Sequence, residues 1–137
     1  MIRVTRRYRF SASHRLDSHE LSPQANRELY GKCNNPFGHG HDYTLDIAVS
    51  GDVDAATGHA VNLPELDRMV HTEVLRDFEE ANLNCLPAFA ATVPTTEHLL
   101  SEIERRLRRA WPPSGWPKLE QIIIRETPRN LFATAAH

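Results

Sequence analysis

His14, His39 and His41 have the residue type and spacing of metal ligands. They are three of the eight histidines in this 137-residue chain. From His39 to Val49 the sequence HGHDYTLDIAV puts His39, His41, Tyr43, Leu45, Ile47 and Val49 at every second position, the period of a β-strand. The alternate set Gly40, Asp42, Thr44, Asp46 and Ser50 is small or polar, with Ala48 the exception. Ile2, Val4, Tyr8, Phe10, Ala12 and His14 form a second stripe of the same period, broken only by Arg6. All three imidazoles therefore stand at the ends of apolar stripes and point inward, where a polar group needs a partner. One inward histidine is more often a satisfied core residue, but three converging on HGH favour a shared ion. Three neutral imidazoles plus one open position is the pattern of catalytic zinc.

Cys33 lies six residues before His39, in the turn-rich segment GKCNNPFGHGH. A thiol there is accessible, and nearby Lys32 and a bound cation would favour the thiolate. Proton-transfer base, extra metal ligand and inert small side chain all remain open from spacing alone. Cys85, between Leu83 and Leu86, reads as a buried small apolar residue. Glu126 continues the stripe of Ile122 and Ile124, where a carboxylate needs a donor; the plainer reading is a surface ion pair. His19, His59 and His137 lie in loops or at the terminus, and nothing singles them out.

The elements that position these residues follow from periodicity. Residues 2–14 read as a strand, 15–38 as a long loop, and about 39–53 as a second strand ending in the turn DAATG. A loop as long as 15–38 inside a compact domain is usually functional. Leu66, Met69, Val70, Val74, Leu75 and Phe78 recur at three- and four-residue steps, which predicts an amphipathic helix from Leu63 to about Ala81. Leu99, Leu100, Ile103, Leu107 and Trp111 predict a second helix, with Thr95 or Thr96 as its N-cap. Pro112, Pro113 and Pro117 forbid its continuation. A third strand over 118–127 and a short fourth over 130–134 complete the order ββααββ. The expected fold is α+β, a four-stranded antiparallel sheet with two helices on one face. Its two open edges suggest assembly with further copies.

Composition bounds the function classes. The length suits one domain with a real core, and the formal net charge is −2. Arg105, Arg106, Arg108 and Arg109 fall in a predicted helix and read as a solvated face, so nucleic acid is not an implied partner. No apolar run reaches the roughly 18 residues of a membrane span. MIRVTRRYRF lacks the apolar core of a secretory signal and already reads as strand. Two cysteines make no disulfide framework, so a reduced, cytoplasmic setting is expected. No G-x-G-x-x-G is present to suggest a nicotinamide cofactor.

Five segments taken together, FSASHRL, GKCNNPFGHGHDY, GDVDAATGHAVNLPEL, VPTTEHL and RET, resemble the 6-pyruvoyltetrahydropterin synthase family. The likeness is collinear over nearly the whole chain, weakening between 76 and 92 and again after Pro128. It implies a T-fold subunit, three copies joining their sheets into a barrel and two trimers stacking as a hexamer. It implies zinc on His14, His39 and His41, and a catalytic thiolate at Cys33. It also implies a pterin ring anchored on Glu126 and on the pair Thr95 and Thr96, with 7,8-dihydroneopterin triphosphate as substrate. The related 6-carboxytetrahydropterin synthases, which lose the side chain as acetaldehyde on the way to deazapurines such as queuosine, usually have a shorter cysteine-to-HGH spacing. The spacing here is of the pyruvoyl type.

The pattern breaks at one place. Where the family carries an Asp-His pair in a segment resembling DHKNLD, this chain reads EEANLN, with Glu79 and Glu80 in their stead. Glu80 could serve as the proton carrier if burial raised its pKa. His71 is a more distant stand-in, and an exposed helix end is the plain reading of both glutamates. A zinc- and pterin-binding module with lost or altered catalysis is therefore the competing expectation.

Overall fold

The computed structural model describes residues 1–135; His137 lies outside them. Strand β1 (Ile2–His14) pairs antiparallel with β2 (His39–Gly51) along its whole length, from Ile2 opposite Gly51 to His14 opposite His39. A two-residue strand, β3 (Ala81–Asn82), runs parallel to β1 at Ala12 and Ser13. Strand β4 (Lys118–Thr127) pairs antiparallel with the other side of β2, with a register shift between Ala48 and Val49. Strand β5 (Asn130–Ala133) closes the order β3-β1-β2-β4-β5. The expected four-stranded antiparallel sheet is thus corrected to a five-stranded mixed one. A strand of two residues within EEANLN has no alternating pattern to betray it.

Helix α1 (Pro23–Tyr30) is a second departure, since it falls in the segment expected to be a loop. Its sequence PQANRELY has no apolar stripe, and Asn26 is its buried residue. The side chain of Asn26 accepts from Ser18 N and donates to carbonyls of Ser18, Leu21 and Ser22, so polar bonds do the work of a core contact. Ser22 as N-cap and Pro23 at the first helical position were the available signals.

Helix α2 begins at Leu63–Val70, continues through a π-helical turn at His71–Leu75 and closes at Arg76–Phe78. Leu66, Val70, Val74 and Phe78 are fully buried at steps of four. Four residues overshoot a 3.6-residue turn, and the wider π turn absorbs that drift and keeps the stripe on one face. Helix α3 (Thr96–Ala110) contributes Leu99, Ile103 and Leu107, and Thr95 caps it by accepting from His98 N. Both helices pack these residues on Phe10, Tyr43, Leu45, Ile47, Val49, Ile122 and Ile124, one side of the sheet. Arg6, the polar break in the β1 stripe, is matched there by Asp67 of α2. Its guanidinium makes two bonds of 3.1 and 2.9 Å to the carboxylate, and Tyr8 Oη donates to the same group at 2.6 Å.

Candidate active site

The β1–β2 register places His14 opposite His39 and Ala12 opposite His41. The three rings gather at this end of the sheet with centroids 5.2, 5.1 and 4.6 Å apart, each pair nearly perpendicular. His14 Nδ1 lies 2.9 Å from the Pro94 carbonyl, and His39 Nδ1 lies 3.3 Å from the Lys32 carbonyl. A carbonyl can only accept, so both Nδ1 atoms carry hydrogen and both Nε2 atoms present lone pairs. Carbonyl bonds of this kind orient metal-ligating histidines. His14 is 1% exposed and its Nε2 has no partner. His39 Nε2 and His41 Nε2 approach to 2.8 Å.

Burial lowers the pKa of His14 and of His41, further lowered in both by neighbouring histidines, so the imidazoles are held neutral as ligands must be. The 3.5 Å approach of His41 Nε2 to Glu126 is accordingly a polar contact rather than an ion pair. A buried, unpartnered, neutral imidazole nitrogen facing two others fits a borderline-soft cation such as zinc. Two donor groups have ligand atoms within 4.8 Å of one another, namely His14 with Cys33 and His39, and His14 with His41 and Glu126.

Cys33 sits on a 3-10 turn (Gly31–Asn34), with Sγ 3.5 Å from His39 Nε2. The turn is fastened to the chain leaving β1. Leu16 N donates to the Cys33 carbonyl at 2.7 Å, and buried Asn34 donates to Leu16 O at 2.7 Å and Asp17 at 2.9 Å. Asn84 holds the same exit from the other side, accepting from Arg15 N at 2.7 Å and donating to Arg15 O at 2.8 Å. An ionised Asp could not donate there. Gly38 completes the approach, because its φ is +69° and a Cβ would meet the His14 carbonyl at 2.5 Å. Burial, and then the Glu126 carboxylate, push the Cys33 thiol up rather than down.

Glu126 enters the same cluster from β4. Burial chiefly raises its pKa, with Glu97 adding to the effect and His14 and His39 opposing it. Its Oε2 accepts from the hydroxyl of Thr96, which is 2% exposed. Thr95 stands beside them but spends its oxygen on the α3 cap.

Glu79 and Glu80 are not brought to this cluster within one chain. Both are exposed at the edge of β1, where Glu79 accepts from Ser11 N at 3.3 Å and Glu80 N donates to Ser11 O at 2.6 Å. Glu80 holds a left-handed φ of +57° and lines a hollow at this edge with Ser11, Ser13, Asp42 and His41 among others. His71 lies exposed in the π turn, and Cys85 is exposed rather than buried, a correction to its expected apolar role. Its flanking residue Leu83 takes the core position instead. A cavity of about 890 Å³ opens at the other end of β2, between Gly51, His59 and Trp116, and contains none of the site residues. Sequence reasoning missed Pro94, Asn34, Asn84 and Tyr43 as parts of the site. Tyr43 alone had a visible signal, sharing a stripe with His41.

The family model described as 6-pyruvoyl tetrahydropterin synthase matches residues 3–136. The 6-pyruvoyl tetrahydrobiopterin synthase of Homo sapiens is 40% identical over 129 residues, covering 93% of this chain and 87% of that one. The 6-carboxy-5,6,7,8-tetrahydropterin synthase of Bacillus subtilis is 31% identical over 109 residues, covering 76% and 70%. Among solved structures, 6-pyruvoyl tetrahydropterin synthase of Caenorhabditis elegans superposes with a TM-score of 0.88 at 34% identity, covering 99% of this chain and 96% of that one.

Proposed function

The chain belongs to the 6-pyruvoyl tetrahydropterin synthase family, and from that membership we propose that it is a zinc-dependent carbon–oxygen lyase. Its proposed reaction converts 7,8-dihydroneopterin triphosphate to 6-pyruvoyltetrahydropterin with elimination of triphosphate. The observation that carries the reading is the meeting of three imidazoles, a thiol and a half-buried carboxylate at one end of the sheet.

Zinc held by His14, His39 and His41 would supply Lewis-acid polarisation of the substrate's side-chain oxygens. Cys33, at the rim of the trio, takes the carbon-bound proton as base, once positive charge offsets the burial and the Glu126 field that hold it neutral. Glu126 receives the ring N–H and amino groups in a bidentate contact, and Thr96 steadies it. Thr95 builds the adjoining wall through its cap. For assembly, the T-fold trimer and hexamer are proposed, supported by the long open edge of β1.

One observation favours a second reading, a zinc- and pterin-binding module with altered catalysis. Glu79 and Glu80 stand where the family has its Asp-His pair, and both are exposed at the edge of β1, bonded to Ser11 rather than to the histidine–cysteine cluster. The 6-carboxy product is the further alternative, with the more distant relative on its side. Mass spectrometry after incubating zinc-loaded protein with 7,8-dihydroneopterin triphosphate separates these outcomes. Triphosphate with 6-pyruvoyltetrahydropterin is expected. The 6-carboxy compound would reassign the product, and unchanged substrate with zinc retained would favour the module.

A further inference from the structure

The helix-free face of the sheet carries charged side chains that the candidate site does not use, and the register sorts them into cross-strand rows. In one row Arg7 stands opposite Asp46 and makes two bonds of 2.8 and 3.0 Å to its carboxylate. In another Ser11 stands opposite Asp42 and donates to it. The row between them is Arg9, Thr44 and Arg125, with Thr44 directly opposite both arginines. Both arginines are exposed, and among the described residues neither guanidinium makes a hydrogen bond or an ion pair. The nearest carboxylates on this face do not offset them, since Asp46 is committed to Arg7 and Asp42 to Ser11. Neighbouring strands lie about 4.8 Å apart, so the two arginine backbones stand about 10 Å from each other across Thr44.

Closure into the proposed barrel decides where this row points. Helices α2 and α3 pack on the other face of the sheet. A helix with its side chains is about 10–12 Å across, so three copies of the pair cannot fit within a bore. The helices stay outside, and the face with Arg9 and Arg125 turns inward. Three copies of β1, β2, β4 and β5 exceed the roughly eight strands whose side chains fill a barrel, which leaves the bore wet. The unpaired guanidiniums of every copy then converge on one axis, in a channel whose walls focus their field.

We propose that this face holds an oligophosphate anion between Arg9 and Arg125, with the Thr44 hydroxyl as a further donor, and that the anion ties the copies together around the bore. The guanidinium fork matches phosphate oxygens two at a time, and an oligophosphate offers oxygens along a chain rather than at one centre. It rests on the proposed trimeric assembly, not on the pterin chemistry. Inorganic triphosphate, the leaving group of the proposed reaction, is the natural probe.

Two measurements on the metal-loaded full chain test it, both against chloride of matched ionic strength: calorimetric titration with inorganic triphosphate, and sedimentation with and without it. The double variant Arg9→Gln/Arg125→Gln should weaken triphosphate binding about tenfold or more, the scale of lost charge-assisted bonds. Arg68→Gln, which removes an exposed charge from α2, should change it less than about twofold. Triphosphate should also drive the wild-type chain toward its trimer or hexamer and leave the double variant unmoved. Binding that persists unchanged in the double variant would move the anion to the candidate active site and overturn the inference. An assembled chain indifferent to triphosphate would overturn it equally, leaving the barrel intact. A chain that stays monomeric with triphosphate present would remove the barrel and this site together.

Discussion

His14 uses its ring twice: Nδ1 is spent on the Pro94 carbonyl, and Nε2 is left bare in a dry environment. That division separates a ligand from a core histidine, which would use both nitrogens. If the trio holds the ion, His39→Ala should strip zinc from the purified protein, measured by elemental analysis; wild-type metal content in that variant would sink the ligand assignment. Cys33→Ala should keep the metal and lose turnover by about a hundredfold or more, the usual worth of a positioned base. Full activity would return Cys33 to the role of filler. The three histidines were legible in the sequence because a period of two survives any register. Pro94 was not, because its contribution is a backbone carbonyl from a remote loop, and side-chain type carries no trace of it. Asn84 was hidden for a related reason, since both its bonds go to the backbone of Arg15.

Strands β1 and β2 and helix α3 were legible as elements because each has a clean apolar stripe. Helix α1 was not, since its internal anchor is an asparagine. The Arg6 interruption, unaccountable along β1 itself, is explained only when α2 is laid across it. Asp67 takes two bonds from Arg6 and one from Tyr8, and these hold its carboxyl below the ordinary value of 3.8. A carboxyl with a depressed folded pKa adds stability that is complete above its unfolded value and is lost as pH falls through the folded one. Asp67→Asn should therefore melt below the wild-type chain at neutral pH, with the gap closing on acidification below 3.8. Thermal melts across that range measure it, and a gap independent of pH would refute the electrostatic account.

In the whole molecule, β3 covers β1 only at Ala12 and Ser13, so the stretch from Ile2 to Ser11 has no strand on that side among the described residues. An edge of this length is a template for pairing with another copy. Sedimentation should find a trimer or hexamer, and a stable monomer at working concentration would remove the proposed barrel. The strand order has a further consequence in time. All three imidazoles lie on β1 and β2, complete by residue 41, whereas Glu126 arrives on a strand that pairs with β2 across about seventy intervening residues. During synthesis the nascent chain carries the strand pair with all three imidazoles well before Glu126 exists. Pairing across so long a span is slow to form. If the trio holds an ion, its capture can therefore precede completion of the sheet, and β4, emerging late, brings the carboxylate that completes the cluster.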